Sequence, residues 1–302
     1  MSAKVSVICI SYNHAPFIQE ALESVFNQTY GSIEVIVLDD ASKDNSQNVI
    51  KKVIGDREAS VIFHQTNKGY TSTFNEGLTL STGDYIIDFA LDDVMKPDFI
   101  QKSISKFETS SSQTGVVFSN AEYINNEGSI IGNHNQILFE KGMLKSIPAG
   151  DVFEWILRRY FICTPTMMIK KEVFERLGGY DETLAYEDFD FWVRSSRHWE
   201  YAYFDDVLIQ KRKLADSMSN QRHRFQFNEQ MNSTFRVCEK AFHLVKTKAE
   251  RKALIERLNY EYRQCLRSDN ALLARKYKVL IGEAEGSINL LSYLGKYIRR
   301  ST

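Results

Sequence analysis

The chain has 302 residues, 43% of them hydrophobic and 25% charged, and a net charge of −1. That length buries a full core in one large domain or two modest ones, and the near-neutral charge gives no electrostatic case for a nucleic-acid partner. Cys9, Cys163, Cys238 and Cys265 are too scattered for a zinc cluster or a disulfide framework, so a reducing compartment is expected.

Val5 to Ile10 reads as a strand, too short and too interrupted by Ser6 for the apolar region of a leader, and no run reaches the eighteen or so apolar residues of a membrane span. The expected location is therefore the cytoplasm. Pro16 to Thr29 carries Phe17, Ile18, Ala21, Leu22, Val25 and Phe26 on one helical stripe. Glu34 to Leu38 is a second strand, Ser46 to Ile54 a helix, Ser60 to His64 a third strand and Thr71 to Leu80 a helix. Tyr85 to Ala90, Pro97 to Thr109 and Gly115 to Ser119 add strand, helix and strand. Strands alternating with helices of about ten residues imply right-handed crossovers and an α/β fold with a mainly parallel sheet covered on both faces.

Two of these strands end in paired carboxylates, Asp39-Asp40 and Asp92-Asp93. Open α/β sheets bind ligands at the carboxyl ends of their strands, and hard cations serving a nucleotide take one or two carboxylates plus phosphate oxygens. The plainer reading is that each pair ends a strand and caps the next helix, at Pro97 in one case and Ser46 in the other. Neither a Gly-x-Gly-x-x-Gly after the first strand nor a Gly-x-x-x-x-Gly-Lys loop is present, so a nucleotide must be held by side chains and a metal. His14 and His64 sit near strand ends without partner spacing, and they read as solvated or structural.

Val5-Ser6-Val7-Ile8-Cys9-Ile10-Ser11-Tyr12-Asn13, Asp39-Asp40-Ala41-Ser42-Lys43-Asp44, Asn67-Lys68-Gly69, Asn75-Glu76-Gly77, Gly83-Asp84-Tyr85-Ile86 and Leu91-Asp92-Asp93 follow one another along the chain. Gly178-Gly179-Tyr180-Asp181-Glu182, Glu187-Asp188-Phe189-Asp190-Phe191-Trp192 and a looser Gln210-Lys211-Arg212-Lys213 with Ser217-Met218-Ser219 continue the series. This succession, over roughly residues 4 to 220, resembles the family 2 glycosyltransferases. The resemblance implies a GT-A fold, a sugar nucleotide donor with a UDP-type base, Mn2+ or Mg2+, and inversion at the anomeric centre.

Position by position, the resemblance makes Tyr12 the stacking partner of the nucleobase, aided by the Ile10 backbone, and Asp40 the acceptor for the base's ring N–H. It places Asn67 and Asp92 on the donor, Asp92 at the ribose, and Asp93 on the metal. Asp188 becomes the general base that takes the proton from an acceptor hydroxyl, with Glu187 as the alternative and a charged first helical turn as the plain reading of both. Three departures stand out: Phe74 replaces a common Arg, leaving that contact absent or to Lys68; Ala90 replaces a first Asp; and Lys213 replaces a frequent His.

Residues 1–220 are thus expected to form the catalytic domain, the donor side at about 1–120 and the acceptor side at about 121–220. The poorly patterned Gly128 to Arg159 and the stretch Tyr160 to Thr166 would supply acceptor-binding elements. Beyond 220, Phe227, Met231, Phe235, Cys238, Phe242 and Val245 recur at helical spacing, and Leu254, Ile255, Leu258, Tyr262 and Leu266 continue the pattern, giving an amphipathic helical tail. From Glu239 onward, fourteen Lys and Arg face seven Asp and Glu. Such a tail fits peripheral contact with an anionic membrane near a glycan or lipid-linked acceptor, or a homodimer, or packing on the catalytic domain. The function read from all this is metal-dependent sugar transfer; a catalytically silent sugar-nucleotide-binding or assembly subunit is the alternative.

Overall fold

The computed structural model describes residues 2–214 and 229–286. These divide into two compact units, one of residues 2–152, 161–182 and 198–214, the other of residues 153–160, 183–197 and 229–286. Phe227, the Ser217-Met218-Ser219 motif and the basic ending around Ile288 to Arg300 lie outside the described residues.

The first unit opens with the expected alternation: β1 (Val5–Ser11), α1 (Ile18–Phe26), β2 (Ile33–Asp39), α2 (Ser46–Ile54), β3 (Ser60–Phe63), α3 (Tyr70–Leu80), β4 (Tyr85–Ala90), β5 (Val94–Met95), α4 (Phe99–Glu108) and β6 (Thr114–Ile124). After these come β7 (Ile130–Asn133), α5 (His134–Glu140), β8 (Met168–Lys170), a helix at Lys171–Leu177 and β9 (Glu200–Arg212). The nine strands form one sheet in the order β3-β2-β1-β4-β8-β6-β9-β5, with β7 beside β6. Pairing is parallel from β3 through β4 and between β6 and β9, while β8 and β5 run antiparallel to their neighbours.

All seven residues of β1 are buried, because both faces of the sheet are covered. On one face Val5, Val7 and Cys9 join Ile18, Ala21, Leu22 and Val25 of α1 in the main core. Each fully buried Val, Ile or Leu among them contributes about 1.5–3 kcal/mol of burial. On the other face α3 lies so close that a Cβ on Gly77 would stand 2.5 Å from Ile8 Cγ2 and 2.9 Å from Leu38 Cδ1. Glycine at that position sets the distance between helix and sheet.

β1 continues to β2 and β3 on one side, and β4 lies on its other side, so the strand order reverses next to β1. Reversal of this kind opens a crevice beyond the carboxyl ends of the strands. Ser11 pairs with Asp39, and Ile10 with both Leu38 and Ala90, which brings Tyr12, Asp40 and Leu91-Asp92-Asp93 to the same edge.

Several elements differ from the sequence reading. β6 runs on past Ser119 to Ile124, because Asn120 and Glu122 pair with β9 and polar residues are tolerated there. The stretch 128–159, expected to lack pattern, contains β7, α5 and a short helix, Phe153–Arg158; α5 is capped by Asn133, which accepts the Gln136 N–H at 3.0 Å.

The second unit is helical: Phe153–Arg158, Asp188–Ser195, Glu229–Leu244, Lys248–Arg267 and Ala271–Ala284. Thr247 and Glu250 form a reciprocal capping box at the start of the longest helix. Its buried stripe is Ala253, Leu254, Arg257, Leu258, Glu261 and Cys265, whereas Leu266, read from the sequence as part of that stripe, is 55% exposed. Arg257 is tolerated inside because it donates to Leu157 O at 2.9 Å and to Glu261 at 3.2 Å, and stacks over the Tyr160 ring.

Candidate active site

The loops after β1 and β2 are tied together before any ligand arrives. Asp39 closes its own turn, accepting the Ser42 N–H at 3.0 Å, the Ser42 hydroxyl and the Gln47 amide at 3.0 Å. The Asn13 N–H donates to Ser42 Oγ, and Asn13 Oδ1 accepts the Lys43 N–H, both at 2.8 Å. Asn13 and Ala41 both adopt left-handed backbone, φ 57° and 60°. For alanine this is a strained state that the surrounding bonds must hold in place. At the same rim Tyr12 is 40% exposed, presenting an aromatic ring to solvent.

Asp40 is nearly sealed. Its Oδ1 lies 2.8 Å from His64 Nδ1 and accepts the Lys68 N–H at 2.8 Å, while Oδ2 accepts the Gly69 N–H at 2.9 Å. The Asn67 amide donates to Asp40 O at 3.1 Å, so Asn67 holds the backbone of the same turn and is itself exposed. Ile10 is buried, and its carbonyl accepts the Leu91 N–H at 2.9 Å, fixing the start of the Asp92-Asp93 turn. His64 is not solvated: its side chain is 3% exposed and bridges Asp40 and Glu76.

Asn75-Glu76-Gly77 acquires a separate reason at each position. Asn75 exchanges hydrogen bonds with the backbone of Tyr180 and donates to Glu182 at 2.8 Å. Glu76 accepts from Lys68 Nζ at 2.6 Å, and Gly77 admits the sheet. Phe74, in place of an arginine, is fully buried against Tyr180 and Phe174.

Asp93 is 3% exposed, and its Oδ1 accepts the Arg212 N–H at 2.7 Å. Burial, and then the neighbouring Asp92 carboxylate, hold Asp93 well above the usual carboxylate range; Lys211 and Arg212 pull it back in part. Asp92 is half-buried, and its carbonyl accepts from Arg212 Nε at 2.9 Å. The Arg212 guanidinium also donates to Asn125 O, Asn126 O and Glu20, and stacks over Phe17. The sequence motif contained Arg212 but gave no sign of this anchoring role, because its partners are main-chain carbonyls far along the chain.

Two adjacent carboxylates, one kept from water with like charge beside it, suit a hard divalent cation. Among the described residues no group of three or more His, Cys, Asp or Glu side chains is arranged around a metal position. The protein would then supply Asp93, and phosphate oxygens would complete the shell. Lys213 lies with its ammonium 3.9 Å from the Tyr123 ring centroid, and burial followed by Lys211 lowers its pKa. Tyr123 in turn donates to His134 Nδ1 at 2.7 Å, while His134 Nε2 donates to Phe161 O at 2.9 Å.

Asp188 belongs to the second unit. It is the first residue of the helix Asp188–Ser195, where the N-terminal dipole favours a carboxylate, and it is half-buried; Glu187 precedes it and is buried. Asp190, in the same first turn, is neutralised by Arg194 and Lys240, each at 2.6 Å.

Known proteins resemble this chain in sequence and in fold. The sequence model for Glycosyl transferase family 2 matches residues 6–178. The uncharacterized glycosyltransferase RT0329 of Rickettsia typhi is 28% identical over 219 residues, 72% of this chain and 66% of that protein. An uncharacterized glycosyltransferase of Haemophilus influenzae is 27% identical over 235 residues, 76% of this chain and 70% of the relative. The chain thus spans a little under two thirds of the Rickettsia protein's length. Among solved structures, S. aureus TarS 1-349 in complex with UDP has a TM-score of 0.64 at 17% identity, covering 86% of this chain and 72% of that one. The mannosyltransferase PcManGT from Pyrobaculum calidifontis, in complex with GDP-Man and Mn2+, has a TM-score of 0.65 at 16% identity, covering 100% and 80%. At those identities the likeness carries the fold, a GT-A type α/β sheet. With the family match covering more than half of its length, the chain belongs to glycosyl transferase family 2 and is a glycosyltransferase.

Proposed function

We propose that this enzyme transfers a sugar from a nucleoside diphosphate donor, UDP-linked, to a hydroxyl of a glycan or lipid-linked acceptor with inversion, using Mn2+ or Mg2+. The observation that carries this reading is the Asp92-Asp93 turn, anchored by Arg212 at the crevice where the strand order reverses. TarS and PcManGT, whose fold it shares, were solved with UDP and with GDP-Man and Mn2+, which supports a nucleotide-sugar donor and a divalent ion.

In this reading Tyr12 stacks on the base, Asp40 accepts its ring N–H, Ile10 and Asn67 hold the turns that carry them, and Asp92 takes the ribose hydroxyls. Asp93 holds the metal, which when bound stabilises charge on the departing diphosphate. Lys213, beside Tyr123, adds a cation toward the same phosphates. Asp188 removes the acceptor's proton, with residues 1–220 as the catalytic region and residues 221–302 as its helical extension.

Among the described residues no helix is long and apolar enough to cross a membrane. The extension exposes Arg251, Lys252, Arg263, Arg267, Arg275 and Lys276, and we assign it peripheral contact with an anionic surface carrying the acceptor, on the cytoplasmic side. Co-sedimentation with anionic vesicles at low salt tests that part. A concentration-dependent dimer that ignores vesicles would replace it with self-association.

The donor assignment is tested by thermal shift and turnover with UDP-, GDP- and dTDP-sugars, with and without Mn2+. A ligand at a hundred times its Kd adds about 2.7 kcal/mol to the native state. Absence of any stabilisation by every sugar nucleotide in the presence of metal would overturn the reading.

A further inference from the structure

Asp40, His64, Lys68 and Glu76 come from four different places, the ends of β2 and β3, the loop after β3, and α3, yet they form one connected set of hydrogen bonds. His64 Nδ1 is 2.8 Å from Asp40 Oδ1, His64 Nε2 is 3.2 Å from Glu76 Oε2, and Lys68 Nζ is 2.6 Å from the same Glu76 oxygen. The imidazole is sealed in, while Glu76 and Lys68 reach solvent with side-chain exposures of 34% and 43%. The Lys68 hydrogen bond holds Glu76 below the usual carboxylate range despite its partial burial, with His64 adding to the effect.

An imidazole set between two carboxylates has a hydrogen-bond partner at each ring nitrogen, which fixes the ring and, through it, the side chains on either side. A carboxylate has roughly four lone-pair sites, and three on Asp40 are used by His64 and the Lys68 and Gly69 N–H groups. What remains is a single acceptor position of fixed orientation.

We propose that His64 is a specificity-determining positioning residue. By clamping Asp40 against Glu76, it holds the Asp40 carboxylate in one orientation, so that the site takes bases with a ring N–H and rejects bases whose ring nitrogen is itself an acceptor. Uracil and guanine belong to the first class, cytosine and adenine to the second. The proposal rests on the reading of Asp40 as the nucleobase acceptor. It adds that the discrimination depends on a residue that does not touch the ligand. A site built to pair a polar group discriminates strongly against a ligand that leaves it unpaired, whereas a loosened carboxylate can turn away.

The test is calorimetric titration of UDP, CDP, GDP and ADP with Mn2+ into the full-length enzyme, comparing the tighter of UDP and GDP with its counterpart, CDP or ADP. Wild type should prefer the ring N–H base, and His64→Gln should shrink that ratio by about tenfold or more, the worth of one charge-assisted hydrogen bond. A purely structural role would weaken all four ligands alike and leave the ratio intact, which overturns the proposal. Should His64→Gln fail to fold, Glu76→Gln decides: it removes the charge that holds the other ring nitrogen, and an unchanged ratio there overturns the clamp. Asp40→Asn separates the two layers of the argument. If wild type and Asp40→Asn discriminate equally, the reading of Asp40 itself fails; if Asp40→Asn loses the ratio and His64→Gln keeps it, only the role of His64 falls.

Discussion

Glu34 offers a stability test whose size follows from four hydrogen bonds. It stands on β2 opposite Ser6 of β1, and its carboxylate accepts from the Ser6 hydroxyl, the Thr82 N–H at 2.8 Å, the Thr82 hydroxyl at 2.7 Å and the Lys4 ammonium at 3.0 Å. Burial alone would raise its pKa, but the bonds from Ser6, Thr82 and Lys4 win and bring it from the ordinary 4.5 down to about 2. The unfolded chain therefore binds the proton more tightly than the folded one. The stabilisation is complete above the unfolded value and disappears as pH falls through about 2. The gap between the two values corresponds to about 3 kcal/mol, and since the Lys4 side chain is 44% exposed, solvent screening lowers the expectation to about 2 kcal/mol. Glu34→Gln puts an amide donor among four donors and should cost about that much at pH 7. The penalty should shrink by about half or more at pH 3, as the wild-type carboxylate takes up its proton on unfolding. Urea midpoints for both proteins at the two pH values measure it, and an equal penalty at both would refute the argument. Nucleotide affinity at pH 7 should not change, because Glu34 lies at the start of β2, the opposite end of the strand from Asp40.

Asp93→Asn should keep the fold but abolish the enhancement of UDP binding by Mn2+, as calorimetry with and without the ion would report; equal enhancement in both proteins removes Asp93 from the metal. Asp188→Asn should bind donor normally and transfer sugar at least ~10²-fold more slowly, since Asn still accepts a hydrogen bond but takes no proton. Near-normal turnover there beside a dead Glu187→Gln moves the base by one residue. Gly83→Ala should lower the unfolding free energy, measured by urea titration, by about 1–3 kcal/mol, because the new Cβ would meet the backbone atoms Ser6 N at 2.7 Å and Lys4 O at 2.8 Å, neither of which can swing aside.

The strand-helix alternation and the carboxyl-end carboxylates were legible because periodicity and abrupt polar endings are local signals. Asp92-Asp93 and Asp39-Asp40 could be placed at one edge from their strands alone. What their side chains do there was not legible, and the two pairs differ: Asp39 closes a turn, Asp40 is held by donors from residues 64–69, and Asp93 is sealed beneath Arg212. The partners of Asp40 and Asp93 lie 24 to 119 positions away in the chain, beyond any spacing rule. The stretch 128–159 failed for another reason. Its strand and helix are short, and they are stabilised by Asn120, Asn133 and Asn135, residue types that ordinarily mark loops. Leu266 shows the limit of apolar periodicity, since the helix inserts Arg257 and Glu261 on its buried side instead.

The stitching of the turns at Asn13 and Ala41 bears on how the heat of binding should divide. A loop that orders only on contact loses conformational freedom at that moment and shows a large unfavourable entropy offset by enthalpy. Here the turn is already fixed by Asp39, Ser42 and Asn13, with the cost of a left-handed alanine met during folding. Nucleotide capture should accordingly proceed with little ordering entropy from this side of the crevice, and its rate should be set by diffusion and charge rather than by loop closure.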